Sequence, residues 1–384
     1  MTHGCATGHT CQTARMSDIS PARVGVLIDW LDADGNYDEH ILPVLEMVAE
    51  DYVARGIVER PVEFVVRAVQ GLPKGTFRAV RDAYRELVEE DCVVVFGPQV
   101  SENGIALAPF IEATQVPTIT LAGSESMLNE YSFALPSGSL DEEPIIMARV
   151  AALEGATSVA IAFEDAAIGH EYLRSARRAC ANEGLRITGE AAIPQLEADK
   201  LAAVEALHAA NPDALMHVGF GLGLVGVNTA LATLGWDPPR YTTTAFEFAT
   251  TSDWWRHELA GWIGLDQWDE RNQLAQEFLT AYEARSGKRA DYFFPLVCFD
   301  IGRVLMLGLS QARPLTGPGV KDSLERIKML PASCGAPGTR IRFGRFIRQG
   351  WMGSEFLVAR RVLPDASAVV MHGTIEGLVP PFAG

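Results

Sequence analysis

Short apolar runs alternate with amphipathic stretches along the first third of the chain, and this alternation limits the fold more than any other feature. Each run is nearly continuous in apolar residues, as expected of a strand buried on both faces of a parallel sheet. The helical stretches between them bury one face each. The predicted strands are Val24–Trp30, Val62–Val69, Val93–Phe96 and Thr118–Leu121, and the predicted helices are His40–Arg55, Thr76–Glu90 and Ile105–Thr114.

The same alternation restarts after Pro144. A chain of 384 residues exceeds what one hydrophobic core usually supports. The repeated pattern therefore predicts an α/β fold of two doubly wound parallel-sheet lobes. The second set of strands is Val159–Phe163, Arg186–Ile193, Ala214–Val218 and Tyr241–Thr244, separated by helices at Tyr172–Glu183, Lys200–Ala210 and Val225–Leu234.

Composition excludes several classes of function. The formal charge is −17, with 49 acidic against 32 basic residues, so no basic surface is available to neutralise nucleic-acid phosphates. Apolar runs fall short of the ~20 residues that a membrane span needs, which predicts no membrane insertion. The six cysteines have no paired spacing, which is typical of free thiols in a reducing compartment.

Residues 1–21 are polar and are predicted to form a disordered tail. His3, Cys5, His9 and Cys11 could be drawn as a metal cluster, but neither pair has zinc-finger spacing, which favours a tail without metal. A secretory signal would have a basic region followed by an apolar run, and this segment has neither. We therefore expect a periplasmic or extracellular protein if a signal was removed, and a cytoplasmic one if the sequence is native.

The strongest local motif is Phe96-Gly97-Pro98-Gln99-Val100-Ser101, which is followed by a second apolar run at Val116-Pro117-Thr118. Ser101 comes after a β-branched run and Gly-Pro, at the position expected for a helix N-cap. Backbone N–H groups at a helix start lack intrahelical partners. The motif therefore predicts a small cradle for an anion or a polar ligand head.

In this order and spacing, these motifs resemble the type I periplasmic binding proteins, specifically the branched-chain amino acid (leucine/isoleucine/valine) binding group. The resemblance runs from Val24 to about Val362 and includes Val24-Gly25-Val26-Leu27-Ile28 and Pro295–Asp300. It implies two lobes joined by a hinge, and a substrate-binding component that hands its ligand to an ABC importer.

The resemblance also implies a division into lobes. Two helices, Gln273–Arg285 and Val297–Arg313, would return to the first lobe. The N-terminal lobe would then comprise residues 22–139 and 267–330, and the C-terminal lobe residues 140–266 and 331–384. The expected crossings lie near Pro136–Glu142, Gly264–Asp269 and Leu330–Phe343.

Open α/β sheets bind ligands outside the carboxyl ends of their strands, so residues just after strands are the site candidates. The resemblance implies that Ser101 and Ser124 hold a ligand carboxylate and that Glu247 accepts a bound amino group. Ile168 and Phe220 stand where relatives carry tyrosines, which weakens the case for an α-amino acid. The candidate ligand-binding residues are Trp30, Ser101, Ala122, Gly123, Ser124, Ile168, Phe220, Phe246, Glu247 and Trp268.

A competing signature is Gly221-Leu222-Gly223-Leu224-Val225-Gly226, a G-x-G-x-x-G that follows a predicted strand, with Glu247 further along. This is the fingerprint of dinucleotide binding and makes an oxidoreductase a remote alternative. Glu247, however, follows the next strand instead of ending it. The sequence favours the other interpretation, in which the glycines allow close packing of a helix on a strand beside the ligand.

No nucleophile elbow, phosphate-binding loop or zinc-binding H-E-x-x-H is present in the sequence. We therefore expect a protein that is not an enzyme and that carries no cofactor or metal. Its predicted ligand is a small hydrophobic or aromatic carboxylate or amide, and its predicted partner is an ABC permease. The alternative is a cytoplasmic ligand sensor of the amide-binding type, whose partner would be a regulatory protein.

Overall fold

A computed structural model describes residues 19–197 and 199–373. Within these residues the chain forms two large sheets that are covered by helices, which confirms the predicted α/β fold of two lobes. Most of the predicted tail lies outside the described residues, and so do His3, Cys5, His9 and Cys11.

The first sheet has five parallel strands in the order β2-β1-β3-β4-β5. All four strands predicted for this lobe are present, and β5 is an addition. The strands are β1 (Ala22–Ile28), β2 (Val62–Ala68), β3 (Val94–Phe96), β4 (Thr118–Thr120) and β5 (Ser132–Ala134), and the helices between them are α1 (Ile41–Ala54), α2 (Phe77–Glu89) and α3 (Ser101–Thr114).

Helix α2 illustrates how the sequence determines these elements. The Thr76 side chain caps the helix by accepting a hydrogen bond from the Ala79 N–H, which satisfies one of the unpaired donors at the helix start. One face of the helix is buried, as predicted for these helical stretches, with Val80, Tyr84 and Leu87 packed against the sheet. The Tyr84 hydroxyl donates to the carbonyl of Val116 at 3.0 Å, so the buried phenol is paired.

The second sheet has seven strands in the order β14-β13-β10-β9-β8-β6-β7. At one edge, β13 pairs antiparallel with β10, and β14 pairs antiparallel with β13. Its strands are β6 (Ser158–Glu164), β7 (Arg186–Ile193), β8 (Ala214–Val218), β9 (Arg240–Thr242), β10 (Ile263–Asp266), β13 (Val358–Val362) and β14 (Val369–Gly373). Its helices are α4 (Glu142–Leu153), α5 (Ala167–Asn182), α6 (Leu201–Ala209), α7 (Val227–Leu234), α8 (Phe248–Thr251) and α9 (Asp253–Glu258).

Helices α10 (Gln273–Ser286), α11 (Phe293–Gln311) and α12 (Gly317–Leu324) follow β10. Helix α11 packs on α1 of the first lobe. By its length and apolar composition alone, α11 could cross a membrane. This differs from the expectation that no apolar run is long enough to do so. In the fold, 67% of its most apolar window is buried inside the protein, as in a core helix.

The last crossing between lobes comes later than the predicted boundary at residue 331. A small antiparallel pair joins β11 (Leu330–Pro331) and β12 (Arg340–Ile341). Gln349 then pairs with Ala134 at the edge of the first sheet, and the chain reaches the second sheet only at β13. Glycine and proline in 331–343 mark a loop, but a loop need not change lobes.

Candidate functional site

A cleft of about 770 Å³ opens between the carboxyl ends of the two sheets and is lined by both lobes. Trp30, which follows β1, and Phe220, which follows β8, meet across it edge to face with ring centroids 5.2 Å apart. Six predicted site residues line this cleft: Trp30, Ser101, Gly123, Ile168, Phe220 and Glu247.

Four predicted site residues do not line the cleft: Ala122, Ser124, Phe246 and Trp268. The Ala122 side chain packs with Met127 inside the first lobe. Trp268 is buried in the main core, and part of it borders a separate surface depression beside Glu270 and Arg289. Position directly after a strand therefore does not decide whether a side chain faces the cleft.

Phe246 and Glu247 show this within one short helical turn, Thr244–Glu247. The Phe246 side chain packs into the core of the second lobe against Gly264, where an added Cβ would lie 2.3 Å from the Phe246 Cβ. Glu247 instead lines the cleft. Of the two residues that could occupy this site position, the structure places Glu247 at the cleft.

Ser124 connects the two lobes. Its hydroxyl donates to the carboxylate of Glu171 on α5, at 2.9 Å from Oε2, and accepts from the Ser126 N–H. The side chain is buried. Its polar atoms are thus used in a contact between lobes and in a local turn.

On the first lobe, the predicted cradle is filled by Asp29, which directly follows β1. Its carboxylate accepts hydrogen bonds from the Gln99 N–H (2.6 Å), the Val100 N–H (3.3 Å) and the Asn103 side-chain amide (2.7 Å). Burial raises the pKa of Asp29 to about 6, although these hydrogen bonds act in the opposite direction. The donors beside the helix start therefore already have an internal acceptor.

The prediction that Ser101 caps this helix is wrong. Val100 is the N-cap, and Ser101 is the first residue of α3. The Ser101 Oγ instead accepts a hydrogen bond from the Gly123 N–H at 3.2 Å. Because Asp29 already takes the donors next to the helix start, the serine hydroxyl is available for this contact between two cleft-lining segments.

On the second lobe, the glycine-rich loop encloses Glu164, the last residue of β6. Its carboxylate accepts from the N–H groups of Phe220 (3.0 Å), Gly221 (2.7 Å) and Gly223 (2.8 Å). A Cβ on Gly223 would lie 2.8 Å from the Glu164 Cγ, so the glycine allows this close approach. The amides that would receive a pyrophosphate in a dinucleotide-binding protein are thus occupied by a carboxylate of the chain itself.

The environment of Glu164 keeps it ionised. Burial acts to raise its pKa, but the nearby His217 ring and the hydrogen bonds from Gln195 and Gly223 outweigh burial, so the pKa is lowered. The His217 Nε2 lies 3.6 Å from Oε1, and the Gln195 side-chain amide donates to Oε2 at 2.8 Å.

Glu247 has the opposite environment. Its Oε1 is buried and has no hydrogen-bond partner. Burial, together with the nearby carboxyl groups of Asp266 and Glu143, raises the pKa of Glu247 well above its usual value. A carboxyl group in its neutral form can both donate and accept a hydrogen bond, and the Oε1 without a partner leaves Glu247 with unused capacity toward a ligand in the cleft.

Sequence reasoning missed several cleft residues. Lys74 lies in the turn after β2, and its ammonium sits 4.4 Å from the centroid of the Trp30 ring. The run Tyr292-Phe293-Phe294 before Pro295 was the available signal for another part of the wall. Further aromatic side chains that line the cleft are Tyr37, Tyr172, Phe248, Trp254 and Trp255. Among residues 19–197 and 199–373, no group of three or more His, Cys, Asp or Glu side chains is placed to hold a metal ion.

Comparison with known proteins gives a consistent assignment. Residues 21–354 match a sequence model described as periplasmic binding protein. No curated protein matches the chain in sequence. A type 1 periplasmic binding protein from Bordetella pertussis Tohama I superposes with a TM-score of 0.79 at 17% identity, covering 92% of this chain and 100% of that one.

Two other solved structures differ in their ligands. A branched-chain amino acid transporter substrate-binding protein from Streptococcus pneumoniae, in complex with isoleucine, gives a TM-score of 0.74 at 16% identity and covers 92% of this chain and 100% of that one. A solute-binding protein from R. palustris, in complex with 4-hydroxybenzoate, gives 0.74 at 15% identity and covers 92% and 96%. At these identities the likeness establishes the fold alone.

Proposed function

Because the chain belongs to the periplasmic binding protein family, we propose that it is the substrate-binding component of an ABC importer. Its ligand is a small hydrophobic or aromatic carboxylate or amide, held between the two lobes. Contacts from both lobes stabilise a closed arrangement, with no chemistry at the ligand. The observation that carries the proposal is an aromatic cleft around one buried carboxyl group, Glu247, whose Oε1 has no hydrogen-bond partner.

Apolar contact supplies most of the affinity in this proposal. Trp30 and Phe220 contribute one aromatic ring from each lobe, and Phe248 packs edge to face on Phe220 with centroids 5.6 Å apart. A ligand that covers these rings gains roughly 25 cal/mol for each Å² of apolar surface removed from water. The Ile168 side chain adds apolar surface beside them.

A free α-amino acid fits this cleft poorly. Its ammonium would have Glu247 as its expected partner, and the raised pKa of Glu247 favours the neutral carboxyl form. The hydroxyl of Tyr172, which also lines the cleft, already donates to the buried Glu143. Desolvating an ammonium with too few partners costs several kcal/mol, enough to remove most of a micromolar affinity.

Family membership and structural likeness support transport over sensing. The family is named for periplasmic binding proteins, and the similar S. pneumoniae protein is described as the substrate-binding protein of an amino acid transporter. We therefore place the protein in the periplasm or outside the cell, with an ABC permease as its partner. The alternative, a cytoplasmic sensor of the amide-binding type, has no comparable support.

Calorimetric titration with 4-hydroxybenzoate, benzamide and leucine tests the ligand class. We expect the aromatic acid or the amide to bind more tightly than leucine. Phe220→Leu should weaken aromatic binding by about 1 kcal/mol, whereas Phe346→Leu, at a side chain that is 89% exposed and outside the cleft, should not. Submicromolar leucine binding with no response to any hydrophobic acid or amide would overturn the proposal.

A further inference from the structure

We propose that Lys74 anchors the carboxylate of the ligand, and that Glu247 on the other lobe pairs with a hydroxyl or amide group that the same ligand carries. This inference rests on the proposed function and narrows it to one chemical class: an apolar or aromatic carboxylate with a second, uncharged hydrogen-bonding group. The carboxylate cradle predicted at Ser101 implies neither the pairing of Lys74 with Glu247 nor a second hydrogen-bonding group on the ligand.

Several of the backbone donors beside the cleft already have acceptors inside their own lobe. Asp29 takes the N–H groups of Gln99 and Val100 at the start of α3. The Gly123 N–H donates to Ser101, and Glu164 takes the amides of the glycine-rich loop. To use these amides, an incoming carboxylate would have to displace an internal acceptor, which favours a side-chain donor for the ligand.

Lys74 is the single cationic side chain among the described residues that line the cleft. Its ammonium rests over Trp30, and none of its described contacts is an ion pair with a carboxylate. A cation–π contact engages only one side of an ammonium and leaves other N–H donors free. Lys74 can therefore receive a carboxylate without losing an existing ion pair.

The position of Lys74 is fixed by its loop. The Leu72 N–H donates to the Asn103 side-chain carbonyl at 3.1 Å, and the Asn103 amide donates to the Leu72 carbonyl at 3.4 Å. Asn103 is held in turn by Asp29. A buried network thus connects the start of α3 to the turn that presents Lys74.

The acidic side chains in the cleft differ in whether their oxygens already have hydrogen-bond partners. Asp32 accepts from the N–H groups of Asp34 and Asn36 in its own turn, and Asp38 accepts from the Tyr292 hydroxyl at 2.6 Å. Glu247, in contrast, has a buried oxygen with no partner. Lys74 on the first lobe and Glu247 on the second therefore both have unused capacity, one for an anion and one for a neutral hydrogen bond. The Gln99 side chain at the cleft also has a buried amide nitrogen without a partner, but it carries no charge.

The test uses two acids, 4-hydroxybenzoate and 4-hydroxyphenylacetate, each paired with its primary amide. Titrations compare the full-length wild type with Lys74→Met, Lys74→Arg and Arg78→Met. Arg78→Met is the matched control, because Arg78 follows the same turn and its replacement removes the same charge. Its side chain lies outside the cleft and is 83% exposed. Melting curves establish that each variant is folded.

We expect Lys74→Met to weaken binding of the acids about 10- to 100-fold, the usual effect of losing a charged hydrogen bond, and to leave the amides within about twofold. Lys74→Arg should retain most of the affinity for the acids, and Arg78→Met should retain all of it. Unchanged binding of the acids by Lys74→Met, or an equal loss for acids and amides, would overturn the role of Lys74 while leaving the proposed function intact. If the wild type binds neither the acids nor the amides, the proposed function fails and this inference fails with it.

Discussion

Asp29 in the first lobe and Glu164 in the second stand at equivalent places, at the carboxyl end of a strand beside the cleft. Both accept hydrogen bonds from backbone N–H groups that would otherwise face a ligand. Asp29 has three donors and a pKa raised to about 6 by burial. Glu164 has four donors at hydrogen-bond distance and a nearby histidine, and its pKa is lowered.

The opposite pKa shifts of Asp29 and Glu164 show two ways in which a carboxyl group of the chain occupies a group of backbone N–H donors. The second lobe closes its glycine-rich loop with a carboxylate that is stable as an anion. The first lobe closes the start of α3 with a carboxylate whose burial is only partly compensated. In both lobes these backbone amides serve the fold, and the cleft wall includes aromatic side chains together with Lys74 and Glu247.

The largest expected effect is that of Glu164→Ala. The change removes the shared acceptor of three loop amides and of Gln195 and leaves a void under the loop. Breaking such a buried charged network costs about 3–5 kcal/mol. Urea unfolding at neutral pH measures the loss, and Glu164→Gln, which keeps the volume and one acceptor oxygen, should lose clearly less. A loss below about 1 kcal/mol for Glu164→Ala would mean that the loop does not depend on this carboxylate.

The pH dependence of stability should have opposite signs in the two cradles. Since the pKa of Asp29 is raised, the folded protein holds a proton that the unfolded chain releases, and the contribution of Asp29 falls as the pH rises from about 4 to 6.5. The change amounts to roughly 3 kcal/mol. Glu164, whose pKa is lowered, contributes stability above the unfolded pKa and loses it as the pH falls.

Unfolding free energies of the wild type, Asp29→Asn and Glu164→Gln across this pH range separate the two contributions. The difference between wild type and Asp29→Asn should shrink as the pH rises, and the difference for Glu164→Gln should grow. Parallel curves for the two variants would remove the distinction between the cradles.

How far the sequence predicts this site depends on which physical signal is used. Hydrophobic periodicity indicated the strands and helices of both lobes, because buried parallel strands require apolar side chains on both faces. It missed short or edge strands such as β5 and β14, whose pairing is decided by distant parts of the chain. It also placed the last crossing too early, since Gln349 still pairs with Ala134.

Side-chain direction at the strand ends was less predictable. Glu247 faces the cleft and its neighbour Phe246 faces the core, although both follow the same strand. Asp29 accepts a hydrogen bond from a residue 70 positions further along the chain, and Glu164 accepts one from a residue 57 positions further along. No local pattern encodes such long-range hydrogen bonds, so the motif at Ser101 alone predicts an open cradle, and the glycine motif alone does not reveal the carboxylate that it encloses.

A smaller effect is expected for Asp29→Asn near pH 7.5. The asparagine keeps one acceptor oxygen for the Gln99 N–H, but its amide would face the donors of Val100 and Asn103. Removing a poorly compensated buried charge offsets part of this loss, so the net destabilisation should be about 1–2 kcal/mol. Chemical denaturation measures it, and a loss as large as that of Glu164→Ala would show that the two carboxylates are equally important.

The smallest expected effect concerns the hydrogen bond that crosses between the lobes. Ser124 is buried in the first lobe, and its hydroxyl donates to the Glu171 carboxylate of the second. Ser124→Ala removes this contact and the local bond from Ser126, whereas Ser101→Ala removes a contact that stays within the first lobe.

Each serine variant should lose about 1 kcal/mol of stability, the usual net contribution of a side-chain hydrogen bond. The two variants should differ in small-angle scattering. Without its link to Glu171, Ser124→Ala should favour lobe separation and give a larger radius of gyration in the absence of ligand, whereas Ser101→Ala should match the wild type. Glu171→Gln provides the partner control, because it weakens the same contact from the other lobe. If Ser124→Ala and Ser101→Ala scatter alike, the Ser124–Glu171 hydrogen bond does not hold the lobes together, and both serines serve only the first lobe.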